Sequence, residues 1–401
     1  MASPIIYFLM IFLFSYVIVN FFVQNYSIVG ENFEEIIGGF AKGFGKRHLS
    51  TTTTAVTTTA TATSITTTST ATTTTVPNST TTTIQTAQNN VGVNYLTLYH
   101  LYDTSEQVLD RDFSRFKNDG INTIVIVIFW YRVESSPGVY NQNFINDVIR
   151  VSNVANKYGI KVMIDFHTLI GDSDKWSNPT YVGSGMNLIT NATIANNYVF
   201  MVKWAVTQLK SLPNVQSYSV INEPWYWPLD ETSKTNWINL AVNLSKIVKS
   251  IDNKPVTIRF VAPLFERDWN WDLRLLDAID FISLNAYISE DAVHEIYWQT
   301  WDEYNNGIKD LNQKASAYGK KIEITEFGYS TDDTQQAKYY QNYTETFKST
   351  TPSLMGWLNW GWDAGYDPNN PTFTQIGYYS IANRITGVPR PAYNVLVQSI
   401  Y

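Results

Sequence analysis

Three patterns of hydrophobic and polar residues succeed one another along the chain. Pro4 to Val23 is an almost unbroken apolar run, PIIYFLMIFLFSYVIVNFFV. It is close to the roughly 20 residues that cross a bilayer. No basic side chain precedes it and no small-x-small cleavage site follows, which favours an uncleaved signal-anchor over a cleaved signal peptide. From Thr51 to Thr86 the chain is almost wholly Thr. So monotonous a sequence specifies no unique core, and its β-branched residues favour an extended stalk of the kind that carries O-linked sugars. From Val91 onward short apolar runs alternate with segments of helical period. The expected organisation is 1–30 signal-anchor or signal peptide, 31–90 juxtamembrane segment and linker, and 91–401 one globular domain.

The apolar runs predict eight strands, at 91–96, 121–129, 160–166, 215–221, 255–262, 280–286, 321–325 and 355–360. The second is apolar on both faces, as in a strand covered by helices outside and by core inside. Between the strands, Phe144, Val148, Val151, Ala155 and Tyr158 keep helical spacing ahead of Gly159. Trp301, Tyr304, Ile308, Leu311, Ala315 and Tyr318 do so ahead of Gly319. Thr104 with Gln107 fits a capping box before a first helix closed by Gly120. Alternating strands and helices over roughly 300 residues predict an α/β fold, a (β/α)8 TIM barrel, with a doubly wound open sheet as the alternative. No GxGxxG or GxxxxGK[ST] loop follows any strand, which argues against nucleotide binding.

Composition narrows the chemistry. The net charge of −7 argues against a nucleic-acid binder relying on bulk positive charge. Cysteine is absent, which excludes disulfide scaffolds, zinc ribbons and thiol nucleophiles. No His-Glu-x-x-His or comparable cluster is present, so neither metal nor other cofactor is expected. Asp172 and Asp174 lack EF-hand spacing and read as a solvated loop. Asn25, Asn78, Asn191, Asn243 and Asn342 each open an Asn-x-Ser/Thr triplet, compatible with an exported glycoprotein at the cell surface or beyond it.

Barrel enzymes place their chemistry at the C-terminal ends of the strands. Those ends read Asp165-Phe166-His167, Asn222-Glu223-Pro224, Asn285-Ala286-Tyr287, Thr325-Glu326-Phe327-Gly328 and Trp360-Gly361-Trp362. Glu223 and Glu326 both follow apolar strands, where an unpaired carboxylate is costly. Two carboxylates at one end of one barrel suggest acid/base and nucleophile work on a glycosidic bond.

With these motifs the region from Val91 to Tyr401 resembles glycoside hydrolase family 5, the cellulase-like family of barrels. The resemblance implies Glu223 as general acid/base, Asn222 as hydrogen-bond donor to the sugar 2-OH and Glu326 as nucleophile. It further implies Tyr287 as the nucleophile's hydrogen-bond donor, His167 as a substrate contact and Trp360 as a stacking platform. Two positions depart from the pattern. Val125 stands where the family usually has an arginine on the second strand, and Asn285 where a histidine is common.

The implied activity is retaining hydrolysis of a β-linked polysaccharide, β-1,4-glucan first and β-mannan next, by a monomeric catalytic domain. An exo-acting β-glycosidase and a catalytically idle carbohydrate-binding protein are the alternatives. A membrane partner is expected through the apolar segment if it is retained. Aromatics make up 15% of the chain, enough to line a sugar cleft as well as a core. Trp225, Tyr226, Trp227, Trp130 and Tyr131 follow strand ends and are candidates for the cleft. Trp269, Trp271, Trp298 and Trp301 read as structural, His100 as either, and His48 and His294 as neither.

Overall fold

The computed structural model describes residues 89–95, 105–168, 178–183, 186–224, 230–265, 271–289, 297–329, 332–350, 354–362, 379–383 and 386–400. The apolar segment and the Thr tract lie outside these residues, as do Thr104, His48, His100, Asp172, Asp174, Trp225 to Trp227, Trp269 and His294. Among the described residues no helix is long and apolar enough to cross a membrane.

The strands are β1 (Asn90–Tyr95), β2 (Thr123–Phe129), β3 (Glu134–Ser136), β4 (Val139–Tyr140), β5 (Lys161–His167), β6 (Val215–Asn222), β7 (Val256–Val261), β8 (Ile282–Asn285), β9 (Ile322–Glu326) and β10 (Leu354–Asn359). Eight of them close a parallel barrel in the order β1-β10-β9-β8-β7-β6-β5-β2, while β3 and β4 form a small antiparallel ribbon. The open-sheet alternative is thereby excluded. The helices are α1 (Glu106–Asp119), α2 (Trp130–Val133), α3 (Gln142–Lys157), α4 (Ala192–Leu209), α5 (Glu231–Ile251), α6 (Ala262–Phe265), α7 (Leu273–Ala278), α8 (Trp301–Ala317), α9 (Asp333–Thr350) and α10 (Pro391–Gln398).

Helix ends follow the local sequence. Gly120 ends α1 in the left-handed conformation at φ 81°, which a residue without Cβ adopts at no steric cost. The start of α1 differs from expectation: its N-cap is Ser105, with no side-chain capping bond. A full capping box occurs instead at α8, where Thr300 and Glu303 each bond the other's backbone amide. Asn141 and Asn191 cap α3 and α4 through their side-chain oxygens.

Alternation along the strands divides the core. On β2, Ile124, Ile126 and Ile128 join the large cluster between sheet and helices. Val125, Val127 and Phe129 join Met163, Phe281 and Leu358 in a second cluster. Because successive side chains on a strand point to opposite faces, this second cluster fills one side of the barrel's interior. The other side is polar and equally dry: Asn94, Asp165, Arg259, Ser283, Asn285 and Thr325 are all fully buried. Closure of the barrel brings β1 close to both neighbours. A Cβ on Gly92 would lie 1.9 Å from the Thr123 carbonyl oxygen, and one on Gly356 would lie 2.0 Å from that of Asn90.

Candidate active site

The polar half of the interior rises into a cluster at the C-terminal rim. Glu326 ends β9, the seventh barrel strand, and is 4% exposed. Its Oε2 accepts from the Tyr287 hydroxyl at 2.8 Å. Its Oε1 lies 2.6 Å from Arg259 Nη2. Burial raises the Glu326 carboxyl, Arg259 lowers it and the charge of Glu223 raises it again, and the balance leaves it at about 7. Burial beside this carboxylate also raises the Tyr287 hydroxyl well above its ordinary value, so Tyr287 remains a donor.

Glu223 follows β6, the fourth barrel strand. It has φ 44°, the only positive φ among described residues other than glycine. A non-glycine residue held there carries a steric cost, and such costs gather at functional sites. The turn is held by a hydrogen bond from the Glu223 backbone N–H to the Arg259 carbonyl, 2.7 Å. The Glu223 Oε1 accepts from Asn285 Nδ2 at 3.1 Å and from the Tyr297 hydroxyl at 3.4 Å. The rings of Tyr287 and Tyr297 are 5.2 Å apart. The two carboxyls are thus served by two adjacent phenols.

Asn222 is clamped on both sides of its amide. Its Oδ1 accepts from Asn285 Nδ2 at 3.1 Å, and its Nδ2 lies 3.2 Å from His167 Nε2. Asn285, at the position where a histidine is common in the family, therefore donates to both Asn222 and Glu223. Its own Oδ1 accepts from Thr325 Oγ1 at 3.1 Å. The donors present assign the histidine tautomer: Asn222 Nδ2 donates to Nε2, and His167 Nδ1–H donates to Asp165 Oδ2 at 2.9 Å. Trp360 is half-buried, with its ring stacked 5.7 Å from that of His167. All six residues singled out from the sequence therefore meet at one end of the barrel.

Four contributors escaped the sequence reading. Arg259, at 0% exposure on the fifth strand, also reaches Asp165 Oδ2 (2.6 Å), Asn94 Oδ1 (3.0 Å) and the Thr325 carbonyl (2.8 Å). Burial pushes the Asp165 carboxyl up, but Arg259 and His167 outweigh it and hold it below its ordinary value. The signal for Arg259 was legible: a lone cation inside PVTIRFVA has to find a buried partner. Asn94 and Tyr297 carried no such signal. Asp165 stood two residues before His167, on the same face of the strand.

One aromatic expectation is corrected. Trp130 does not line a cleft: α2 turns it inward, fully buried against Tyr198 and Tyr181, with its Nε1–H on Glu134 Oε2 at 2.5 Å. Tyr131 is half-buried beside Phe129, with the Arg132 guanidinium over its ring. Trp271 and Trp298 are buried, and Trp301 packs on Tyr304, Tyr339 and Tyr343, as a structural reading requires.

A closed barrel with two carboxyls and a clamped amide at its rim defines the class of barrel glycoside hydrolases. The family model Cellulase (glycosyl hydrolase family 5) matches residues 67–363, and the chain belongs to that family. Mannan endo-1,4-beta-mannosidase 4 of Solanum lycopersicum is 24% identical over 250 residues, 55% of this chain and 59% of that protein. The chain thus spans little more than half the length of this relative. Among solved structures, the exo-beta-1,4-mannosidase Op5Man5 from Opitutaceae bacterium strain TAV5 matches with a TM-score of 0.64 at 15% identity, covering 78% of this chain and 59% of that one. The family 5 xyloglucanase from Paenibacillus pabuli matches with a TM-score of 0.60 at 16% identity, covering 79% and 99%. These structures share the fold.

Proposed function

We propose that this chain is a retaining, endo-acting hydrolase of a β-1,4-linked polysaccharide, with Glu326 as nucleophile and Glu223 as acid/base. The observation that carries it is the unequal setting of the two carboxyls. Burial leaves the Glu326 carboxyl raised to about 7, and the guanidinium and phenol at its two oxygens favour the anion against that burial. Glu223 is the more exposed of the two and accepts only neutral donors among the contacts described, on a backbone turn that aims it at the rim. An ionised Glu326 attacks the anomeric carbon while Glu223 gives its proton to the leaving glycosidic oxygen. Glu326 is then an ester and no longer an anion, so its repulsion of a charge on Glu223 ends. Glu223 accepts a proton from water, and that water releases the sugar from Glu326.

Asn222 supplies an N–H toward the sugar 2-OH, a contact that strengthens at the transition state. Trp360 offers a flat face to a sugar ring. β-1,4-Glucan is the first substrate expected from the cellulase-like resemblance. The similarity to proteins named as mannan endo-1,4-β-mannosidases favours β-1,4-mannan as the second reading. The enzyme acts outside the cell or at its surface if the apolar segment and Thr tract serve export.

The test is product analysis on β-glucan, β-mannan and xylan, paired with a 2-deoxy-2-fluoro glycosyl fluoride that traps the covalent intermediate. Labelled Glu326 and oligosaccharide products are expected. A folded chain that neither turns over nor labels on any of these sugars would make the idle carbohydrate-binding reading the correct one.

A further inference from the structure

A buried Glu326 ionises more readily with a cation beside it, and the second strand offers none. Val125 is fully buried on the apolar side of the interior, among Val127, Phe129, Met163, Phe281 and Leu358. A guanidinium rooted there would have to displace that packing. The charge arrives instead from the fifth strand, through the polar half of the barrel. We infer that Arg259 is the positioning residue of this site, its side chain holding the nucleophile and its backbone holding the acid/base.

Two contacts define the role: Arg259 Nη2 to Glu326 Oε1 at 2.6 Å, and the Glu223 N–H to the Arg259 carbonyl at 2.7 Å. The second falls beside a register shift between β6 and β7, where Asn222 pairs with Arg259. One residue thereby fixes the separation of two carboxyls that sit on different strands. It also reaches Asn222 indirectly, through Asp165 and His167.

Asp165 gives the arrangement a second property. In the resting enzyme the guanidinium lies between two carboxyls, Asp165 at 2.6 Å and Glu326 at 2.6 Å. When Glu326 becomes an ester, its negative charge is gone. Asp165 still neutralises the buried cation, so the intermediate carries no unpaired buried charge, which would be costly. Glu326 is faced by Arg259 from β7, Glu223 after β6, His167 from β5, and Tyr287 and Tyr297 after β8. Of these, Arg259 is the permanent cation.

This inference rests on the proposed hydrolase mechanism for its kinetic arm but has an arm that needs no substrate. In Arg259→Met, the Glu326 carboxyl followed by carbon-13 NMR should titrate about one pH unit or more higher than in the wild type. The acid limb of kcat/KM should move up with it. At the pH optimum kcat should fall by about 10²-fold or more with KM changed only a few-fold, the mark of a transition-state loss. Arg259→Lys, which keeps the charge but not the fork, should keep the wild-type titration midpoint and still lose kcat. It also serves if Arg259→Met fails to fold.

An unshifted Glu326 midpoint in folded Arg259→Met, or full kcat in Arg259→Lys, overturns the inference. A shifted midpoint in a chain whose wild type hydrolyses nothing would overturn the hydrolase reading and leave the role of Arg259 in fixing the Glu326 charge standing.

Discussion

Two carboxyls on the same strand, three residues apart, have opposite fates. Glu323 and Glu326 both lie on β9, and burial pushes both up to about 7. Glu323 sits toward the strand's start, beside β1. Its Oε1 accepts from Asn90 Nδ2 at 2.8 Å, and Asn90 in turn receives Lys161 Nζ at 3.2 Å. Its other oxygen, Oε2, has no hydrogen-bond partner among the described residues. Glu326 sits at the rim with a guanidinium at one oxygen and a phenol at the other. Arg259 pulls both carboxyls down and burial leaves both reluctant to ionise, so what separates them is place: Glu326 touches the guanidinium directly and lies at the rim, and Glu323 does neither.

Four substitutions sharpen or break that contrast. Glu326→Gln keeps the shape and removes the proposed nucleophile, and hydrolysis should fall by at least about 10³-fold. Turnover on the preferred glycan measures it; undiminished rates would end the assignment of Glu326.

Glu323→Gln should leave turnover intact and change stability. The folded value of about 7 lies above the unfolded 4.5. Between these values the folded state holds a proton that the unfolded state has lost. Stability is therefore highest at acid pH and falls as pH rises toward 7, by about 3 kcal/mol for this group. The glutamine should flatten that fall. Chemical denaturation across pH 4 to 8 reads it, and an unchanged slope would show that Glu323 ionises in the fold as easily as in water.

Tyr287→Phe removes the 2.8 Å donor to Glu326 and should cost about 10-fold to 10²-fold in kcat, the worth of a hydrogen bond to a charged group. Kinetics at several pH values check it: a wild-type rate would transfer the whole burden to Arg259. Asn90→Ala should destabilise by about 1 kcal/mol, the net worth of an ordinary hydrogen bond, without touching turnover. Thermal melting checks that last case, and a loss of activity there would mean that the two ends of β9 are not independent.

The fold was legible because the apolar runs are short, repeated and bounded. β2 is the clearest: every residue from Thr123 to Phe129 is buried, as a strand covered on both faces requires. Glu223 and Glu326 were legible because a carboxylate at the end of an apolar strand has few innocent explanations. Arg259 belongs to the same class of signal, a lone charge inside an apolar strand that has to find a buried partner. Trp130 misled for a physical reason. A residue after a strand end faces the rim only if the chain continues as a loop, and here it turns at once into α2. Asn94 and Tyr297 were illegible because their roles depend on pairings set by closure, which no local pattern encodes.

Asn94 carries a consequence for how the barrel closes. Its Nδ2 donates to the carbonyls of Thr325 and Asn359, and its Oδ1 receives Arg259. The first strand is thus stitched to the last across 265 positions of sequence, among the most distant contacts the chain makes. Contacts of such separation carry a large closure entropy and tend to form late. During synthesis β1 emerges early and must wait, edge unpaired, until residues near 359 arrive. The partners of the guanidinium, Asn94, Asp165, the Thr325 carbonyl and Glu326, all precede residue 359, so its network depends on the last strand only through the Asn359 carbonyl that helps to hold Asn94 in place.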